Sequence, residues 1–537
     1  MTLAELLQNL PDAELHGNSS VCITHLTCDS RQVKPGTFFF ALHGSTADGH
    51  SYIEKAVAAG AAAVLLEDSA KAPMTVPWVK VPDGRSAMGH IAAIFNGDPT
   101  ATKPLIGITG TNGKTTTTYL IEAILAAAGI PAAVLGTISY RFGETNIAAS
   151  HTTPESTELQ KAFRQLAEAG AKAFVVEVSS HALEQKRVDG CHFDVGIFTN
   201  LTRDHLDYHG DMENYLEAKL RLFSVLLKPD DIKPKRRGVV NMDDPYGARV
   251  AAATACPVIT FGREGNWDVR PEEACLSVQG ISGVIHTPKG EFPFASRLMG
   301  RFNLSNILAS VAVGVALDLP LTAIKAGIEG HRTVPGRMER VENCCGITCL
   351  VDYAHTGDAL ENVLATLKEI ATGRIITVFG CGGDRDNGKR SIMGAIAARM
   401  SDLAIVTSDN PRTEDPLSIL QQIREGIINT PAPLQGEACP ERSRRGRGRG
   451  RDGFLREYIS TELAENFTDK GFVVVENRHD AIKLAIRLAQ RGDIVLLAGK
   501  GHEDYQIIGT VKHHFDDREE AVAAFREKDS TCSPSTK

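Results

Sequence analysis

Leu105-Ile106-Gly107-Ile108-Thr109-Gly110-Thr111-Asn112-Gly113-Lys114-Thr115-Thr116 reads as an apolar strand, a glycine turn and the start of a helix. Glycines at 110 and 113 let backbone N–H groups approach phosphate oxygens, and the helix N-terminus that follows favours an anion. Lys114 can reach terminal phosphates, and the Thr115 hydroxyl can ligate Mg²⁺. With Thr111, Asn112 and Thr116 completing the loop, the stretch predicts a nucleoside triphosphate site. The common phosphate-loop pattern wants glycine where Ile108 stands, so this loop is a variant of it.

Beyond the loop, apolar runs alternate with helix-forming stretches, among them Ala173-Phe174-Val175-Val176 and Val195-Gly196-Ile197-Phe198. Such alternation predicts a mostly parallel sheet covered by helices. Past His331-Arg332-Thr333-Val334-Pro335-Gly336 it resumes with Ile375-Ile376-Thr377-Val378-Phe379, Leu403-Ala404-Ile405-Val406 and Ile494-Val495-Leu496-Leu497, which predicts a Rossmann-like doubly wound domain. Before the loop, Thr37-Phe38-Phe39-Phe40-Ala41 and an Ala-rich helix expected over about 53–63 indicate a small α/β domain. The fold class is therefore α/β in three domains: a small N-terminal domain (1–98), a central P-loop-type mononucleotide-binding domain (99–333) and a doubly wound C-terminal domain (334–537). An Arg/Gly tract near 434–453 is too polar to build a core and is expected to be a disordered surface insertion.

A chain of 537 residues exceeds what one core usually supports, in keeping with several domains. Its net charge of −8 argues against bulk attraction to nucleic acid, so an anionic substrate must meet locally placed cations. No run approaches the ~20 apolar residues that span a bilayer, and Met1-Thr2-Leu3-Ala4-Glu5 has no leader pattern; a cytoplasmic protein without membrane insertion is expected. Eleven cysteines from Cys22 to Cys532, without a CxxC pair, suit reduced thiols. Cys344, Cys345 and Cys349 are neighbours, but without a matching His or Cys cluster no metal site is expected there.

Glu177 ends the apolar run that begins at Ala173, at the carboxyl edge of a sheet where ligands collect, and is a candidate for Mg²⁺. His205 lies beyond the next strand, beside Asp204 and Asp207, and is a second candidate.

The loop Gly110-Thr111-Asn112-Gly113-Lys114-Thr115 resembles the ATP loop of Mur ligases and folylpolyglutamate synthetases. Asn200-Leu201-Thr202-Arg203-Asp204-His205-Leu206-Asp207-Tyr208-His209-Gly210, followed by Tyr215-Leu216-Glu217-Ala218-Lys219, is similar to the Mur ligases in particular. That resemblance implies a carbamylated lysine at Lys219, and a partly desolvated lysine has the chemistry for it, since its neutral amine can take up CO₂. It also implies ATP contacts at Asn303, Arg337, Asp352 and His355, and contacts to a UDP-linked muramoyl dipeptide at Ser30, Ser45, Thr46, Ala47, His151, Thr152, Thr153, Ser179, Gln185 and Arg187.

Asp409-Asn410-Pro411-Arg412 resembles the segment found in Mur ligases that use meso-diaminopimelate. A guanidinium at 412 can grip the extra distal carboxylate with paired hydrogen bonds, whereas a lysine substrate would bring an ammonium. Arg385, Gly499 and Glu503 match the remaining amino-acid contacts of that family. The implied reaction is ATP-dependent ligation of meso-diaminopimelate to UDP-N-acetylmuramoyl-L-alanyl-D-glutamate through an acyl phosphate, by Lys114, Glu177, His205 and Lys219, with Mg²⁺ and with the chain as a monomer. The alternatives are a lysine-adding Mur ligase, a folylpolyglutamate synthetase-like ligase, and a nucleotide-switched binding protein without ligation chemistry. Asp409 to Arg412 argues against the first two, and the third leaves that segment unexplained.

Overall fold

The computed structural model describes residues 1–8, 10, 12–44, 47–149, 151–331, 333–429, 456–458 and 470–532. Ser45, Thr46 and the Arg/Gly tract lie outside the described residues. The chain forms two compact units, one of Met1–Glu273, Gly283–Phe294 and Ser305–His331, the other of Ala274–Ser282, Ala295–Leu304 and Arg332–Lys537.

Within the first unit, Leu105–Thr109 is an inner strand of an eight-stranded sheet ordered Val258–Phe261, Arg237–Asn241, Val195–Phe198, Leu105–Thr109, Ala173–Glu177, Ala132–Leu135, Ser139–Phe142, Thr145–Ala148. The first six run parallel and the last two form antiparallel edges. Leu105–Thr109, Ala173–Glu177 and Val195–Phe198 are buried throughout, which is why they read as unbroken apolar runs rather than as alternations. The helix Lys114–Ala127 buries Leu120, Ile121, Ile124 and Leu125, a helically spaced face.

A second sheet in this unit, with its own core, has the order Glu14–His16, Trp78–Lys80, Ala61–Leu66, Thr37–Phe40, His25–Thr27. Here the helix expected over 53–63 is shorter, spanning Ile53–Ala58. Gly60, at φ +100°, turns the chain, and Ala61–Leu66 becomes a strand paired in parallel with Thr37–Phe40. Sheet pairing outweighs alanine's helix preference, which amounts to only tenths of a kcal/mol per residue.

The second unit is doubly wound. Its sheet is ordered Glu339–Val341, Thr348–Asp352, Ile494–Ala498, Ile375–Phe379, Leu403–Val406, Gly471–Val474, Arg456–Glu457, parallel except for the first strand. Helices Gly357–Ile370, Gly388–Met400 and Pro416–Ile428 cover one face, while Arg478–Leu488 and Asp517–Cys532 cover the other. The chain changes face beside Ile494–Ala498, so the loops after that strand and its neighbour Ile375–Phe379 open at a switch point, where ligands bind in such sheets. Among the described residues no helix is long and apolar enough to cross a membrane.

One buried ion pair ties the second face together. Arg478 donates through Nε to Asp517 Oδ1 at 2.8 Å and through Nη2 to Asp517 Oδ2 at 2.6 Å, with both side chains fully buried. Asp517→Ala leaves a buried guanidinium without its partner and is expected to lower stability by about 3–5 kcal/mol. Denaturant titration of parent and variant measures this, and equal midpoints would mean that the pair contributes nothing.

Candidate functional site

The glycine loop is braced by side chains from one strand end, Thr199 and Asn200, and from two helices, Tyr215 and Asn306. A Cβ on Gly113 would stand 2.4 Å from Asn306 Oδ1, and one on Gly110 would stand 1.9 Å from Thr199 Oγ1, so both positions have room only for glycine. The Asn112 backbone N–H donates to Asn200 Oδ1 at 2.9 Å, and Thr199 Oγ1 donates to the Asn112 carbonyl at 2.7 Å. Thr111 Oγ1 lies 3.1 Å from the Tyr215 hydroxyl. Lys114 Nζ donates to the carbonyls of Gly110 and Thr111 at 2.8 and 2.9 Å, which holds its ammonium over the loop. Thr116 is buried in the first helical turn.

Lys219 comes from the helix Met212–Arg221 to the same loop, where its Nζ donates to the Gly110 carbonyl at 3.1 Å. It is 1% exposed and lies 4.5 Å from the centre of the Tyr215 ring. Burial, reinforced by the Lys114 charge, holds its pKa well below the ordinary lysine value. Its charged form is thus disfavoured.

Glu177 receives three hydrogen bonds: from Thr115 Oγ1 at 3.0 Å, from the Thr137 N–H at 3.1 Å and from Thr137 Oγ1 at 3.1 Å. A hydroxyl and a carboxylate side by side form a hard oxygen donor set of the kind magnesium prefers, and they fit that ion. His205, at φ +53°, keeps an exposed ring 5.0 Å from His181, which is itself 5.4 Å from His209. Burial, with His205 and His209 adding to it, lowers the His181 pKa to about 4.

On the same edge, Thr153 Oγ1 donates to the Glu177 carbonyl at 2.7 Å and accepts from the Ser179 N–H at 3.1 Å. Thr152 Oγ1 lies 3.1 Å from Thr137 Oγ1, and the His151 carbonyl accepts from Tyr140. Arg187 donates to the Thr153 carbonyl at 2.9 Å and to Gln185 Oε1 at 2.8 Å, and it pairs with Glu155 at 3.0 Å. Ser30 opens a short turn capped by Asp29, and Ala47 accepts from the Gly44 N–H at 3.0 Å; both lie on loops of the N-terminal sheet.

The second unit carries two further groupings. Around Asp352, which is buried and therefore raised in pKa, the carboxylate accepts from the backbone N–H groups of Met338 and Ala354, each at 2.8 Å. Arg337 stacks 5.2 Å from the Tyr353 ring centre, and the His355 and His502 rings lie 4.6 and 5.0 Å from that ring. Asn303 donates to the Met299 carbonyl at 2.8 Å.

The other grouping joins three loop ends. Lys500, fully buried, pairs with Asp409 Oδ1 at 3.2 Å and donates to Asn410 Oδ1 at 3.2 Å. The Ile507 N–H donates to that same Oδ1 at 2.9 Å, so the amide nitrogen of Asn410 must point the other way, where it donates to Glu503 Oε2 at 3.0 Å. Burial and the Asp409 charge push the Glu503 pKa up. Arg412, at φ +53° after the buried Pro411, donates to the Gly383 carbonyl at 2.7 Å. A Cβ on Gly499 would come within 3.2 Å of Asp409 Oδ2. Arg385 is exposed on the neighbouring loop. Fully buried Arg390 supports that loop, donating to the Gly382 carbonyl at 3.3 Å and to Glu414 at 2.9 Å.

Several of these groups escape a linear reading. Thr137 and Glu155 carry no motif of their own and matter only through tertiary contact, and the contact of Tyr215 with Thr111 is likewise not written in its motif. Lys500 does leave a trace: it follows the buried run Ile494–Ala498 with only Gly499 between, and a lysine buried there requires an anionic partner.

Family models described as Mur ligase family, catalytic domain (22–96), Mur ligase middle domain (108–314) and Mur ligase, glutamate ligase domain (336–444) match the chain. A relative named UDP-N-acetylmuramoyl-L-alanyl-D-glutamate–2,6-diaminopimelate ligase, from Geobacter metallireducens, is 59% identical and covers 99% of each chain. The same-named protein of Geobacter sulfurreducens is 57% identical over 99% of this chain and 100% of its own. A solved structure with that name is 32% identical, with a TM-score of 0.70, covering 98% of this chain and 99% of its own. The chain belongs to the Mur ligase family.

Proposed function

We propose that this ligase joins meso-diaminopimelate to the D-glutamyl γ-carboxylate of UDP-N-acetylmuramoyl-L-alanyl-D-glutamate at the expense of ATP, as a monomer in the cytoplasm during peptidoglycan precursor synthesis. The observation that carries the choice of amine is that a guanidinium, Arg412, lies within electrostatic range of a carboxylate, Glu503, which itself accepts a hydrogen bond from Asn410. That pair suits the distal end of diaminopimelate, a carboxylate beside an ammonium, whereas lysine has no distal carboxylate. We assign nucleotide-sugar binding to 1–98, ATP binding to 99–333 and amine binding to 334–537.

In this reading the carboxylate attacks the γ-phosphorus, ADP leaves, and the amine then attacks the acyl phosphate and expels inorganic phosphate. Gly110 to Thr116 hold the triphosphate by backbone N–H groups, and Lys114 balances charge on the transferred phosphoryl. Lys219 adds CO₂ at its neutral Nζ, forming an N–C bond and releasing a proton, and becomes an N6-carboxylysine with two anionic oxygens. Thr115, Glu177, His205 and that carbamate would hold magnesium, which when bound would supply further positive charge. Asn303, Arg337, Asp352 and His355 receive the rest of the nucleotide. His151, Thr152, Thr153, Ser179, Gln185 and Arg187 receive the muramoyl dipeptide, and Ser30, Ser45, Thr46 and Ala47 receive its uridine diphosphate. Asp409, Pro411, Gly499 and Arg385 complete the amine pocket.

Arg412→Ala tests the reading. Loss of a charge-assisted contact to a partly desolvated carboxylate amounts to roughly 2–5 kcal/mol. Use of diaminopimelate should fall at least about tenfold to a hundredfold. The KM values for ATP and the UDP-dipeptide should hardly move. Phosphate release with diaminopimelate and with lysine measures both; undiminished use of diaminopimelate, or a parent enzyme that prefers lysine, would overturn the assignment.

A further inference from the structure

We infer that Cys344, Cys345 and Asp529 form a binding site for one thiophilic divalent cation of the zinc type, which clasps the C-terminal helix to the edge hairpin of the second unit. The two cysteines occupy the turn joining the antiparallel strands Glu339–Val341 and Thr348–Asp352. Consecutive side chains on a strand point to opposite faces. Here Asn343 bends the backbone: its Oδ1 accepts from the N–H groups of Cys345 and Ile347 at 3.1 and 3.3 Å, and its Nδ2 donates to the carbonyls of Val341 and Ile347 at 3.2 and 2.8 Å. Both thiols consequently face one carboxylate. Cys344 Sγ lies 2.7 Å from Asp529 Oδ2, and Cys345 Sγ lies 2.9 Å from Asp529 Oδ1.

Asp529 arrives from the helix Asp517–Cys532, and its neighbour Lys528 fixes that stretch by donating to the carbonyls of Ile486, Arg487 and Ala489 at 2.9, 2.9 and 2.6 Å. The three donor atoms lie within 4.8 Å of one another, close enough to share one ion at Zn–S distances of about 2.3 Å, with water in a fourth position. Two sulfur donors favour zinc over magnesium. On binding, two sulfur–metal bonds form and two thiol protons leave to solvent. Cys349, the third cysteine of the run, is fully buried in the sheet and takes no part. The other donor cluster among the described residues, His43, Asp48 and His50, differs in that both His50 nitrogens are engaged, with Asp48 at 2.7 Å and with the Glu67 N–H at 3.2 Å. The cysteine turn precedes Thr348, at the end of the sheet opposite Asp352 and Gly499, so the ion serves the fold and not the chemistry.

Cd²⁺ titration of the reduced, chelator-stripped full chain, in competition with a chromophoric chelator, provides the test. The parent should bind one equivalent, develop an ultraviolet cadmium–thiolate band and melt a few degrees higher. Asp529→Asn keeps all eleven cysteines and should lose affinity by at least about tenfold. The double variant Cys344→Ser, Cys345→Ser should lose the band, while Cys22→Ser with Cys275→Ser, exposed thiols elsewhere, should not. ATP binding by each variant confirms its fold. No stoichiometric binding by the parent, unchanged affinity in Asp529→Asn, or a band that survives the double substitution would each overturn the site.

Discussion

Lys114→Ala is expected to reduce ligation on the order of a thousandfold or more, which at 1.36 kcal/mol per decade corresponds to about 4 kcal/mol of transition-state stabilisation. The ammonium is the loop's own cation, held by the carbonyls of Gly110 and Thr111, and nothing else in the first helical turn brings a charge. Folding should survive, because the Gly110 carbonyl also accepts from Lys219 and the loop is braced by Asn200 and Thr199. ATP-dependent phosphate release measures the rate, and thermal unfolding separates lost chemistry from lost structure. Near-parental turnover by a folded variant would remove Lys114 from the mechanism and with it the reading of the loop.

Lys219→Ala is expected to be equally damaging for a different reason. A buried lysine whose ammonium is disfavoured is a liability to folding unless its amine is used, and the substitution removes that liability. The lost function is the pair of anionic oxygens the carbamate would present. Formate or acetate added at high concentration can occupy the vacated volume and should restore part of the rate, and the parent should slow in buffer stripped of CO₂. Full activity of the variant without added acid would rule out the carbamate.

Legibility in the sequence followed burial. Runs such as Ala173-Phe174-Val175-Val176 are strands because both sheet faces are covered, and a strand covered on both faces leaves an unbroken apolar signature. Ala61 to Ala63 misled for the converse reason: alanine suits a helix, and only pairing with Thr37–Phe40 decides otherwise. At the proposed amine site, Asp409 to Arg412 could be picked out by resemblance, but the orientation of the Asn410 amide could not. It depends on Lys500 and the Ile507 N–H, which lie 90 and 97 residues away along the chain. Asp529 was invisible for the same reason, since its partners Cys344 and Cys345 are 185 and 184 residues distant.

The proposed amine site is assembled from loop tips that follow neighbouring strands, while Lys500, just past a strand end, braces Asp409 and Asn410. That division bears on descent. A lineage could exchange Arg385, Arg412 or Glu503 one at a time, and so drift toward another amine, while Lys500 and the strands stay untouched. Preference for a building block is then a heritable trait separable from the ability to fold, and variation in cell-wall composition can arise by point mutation without a new scaffold.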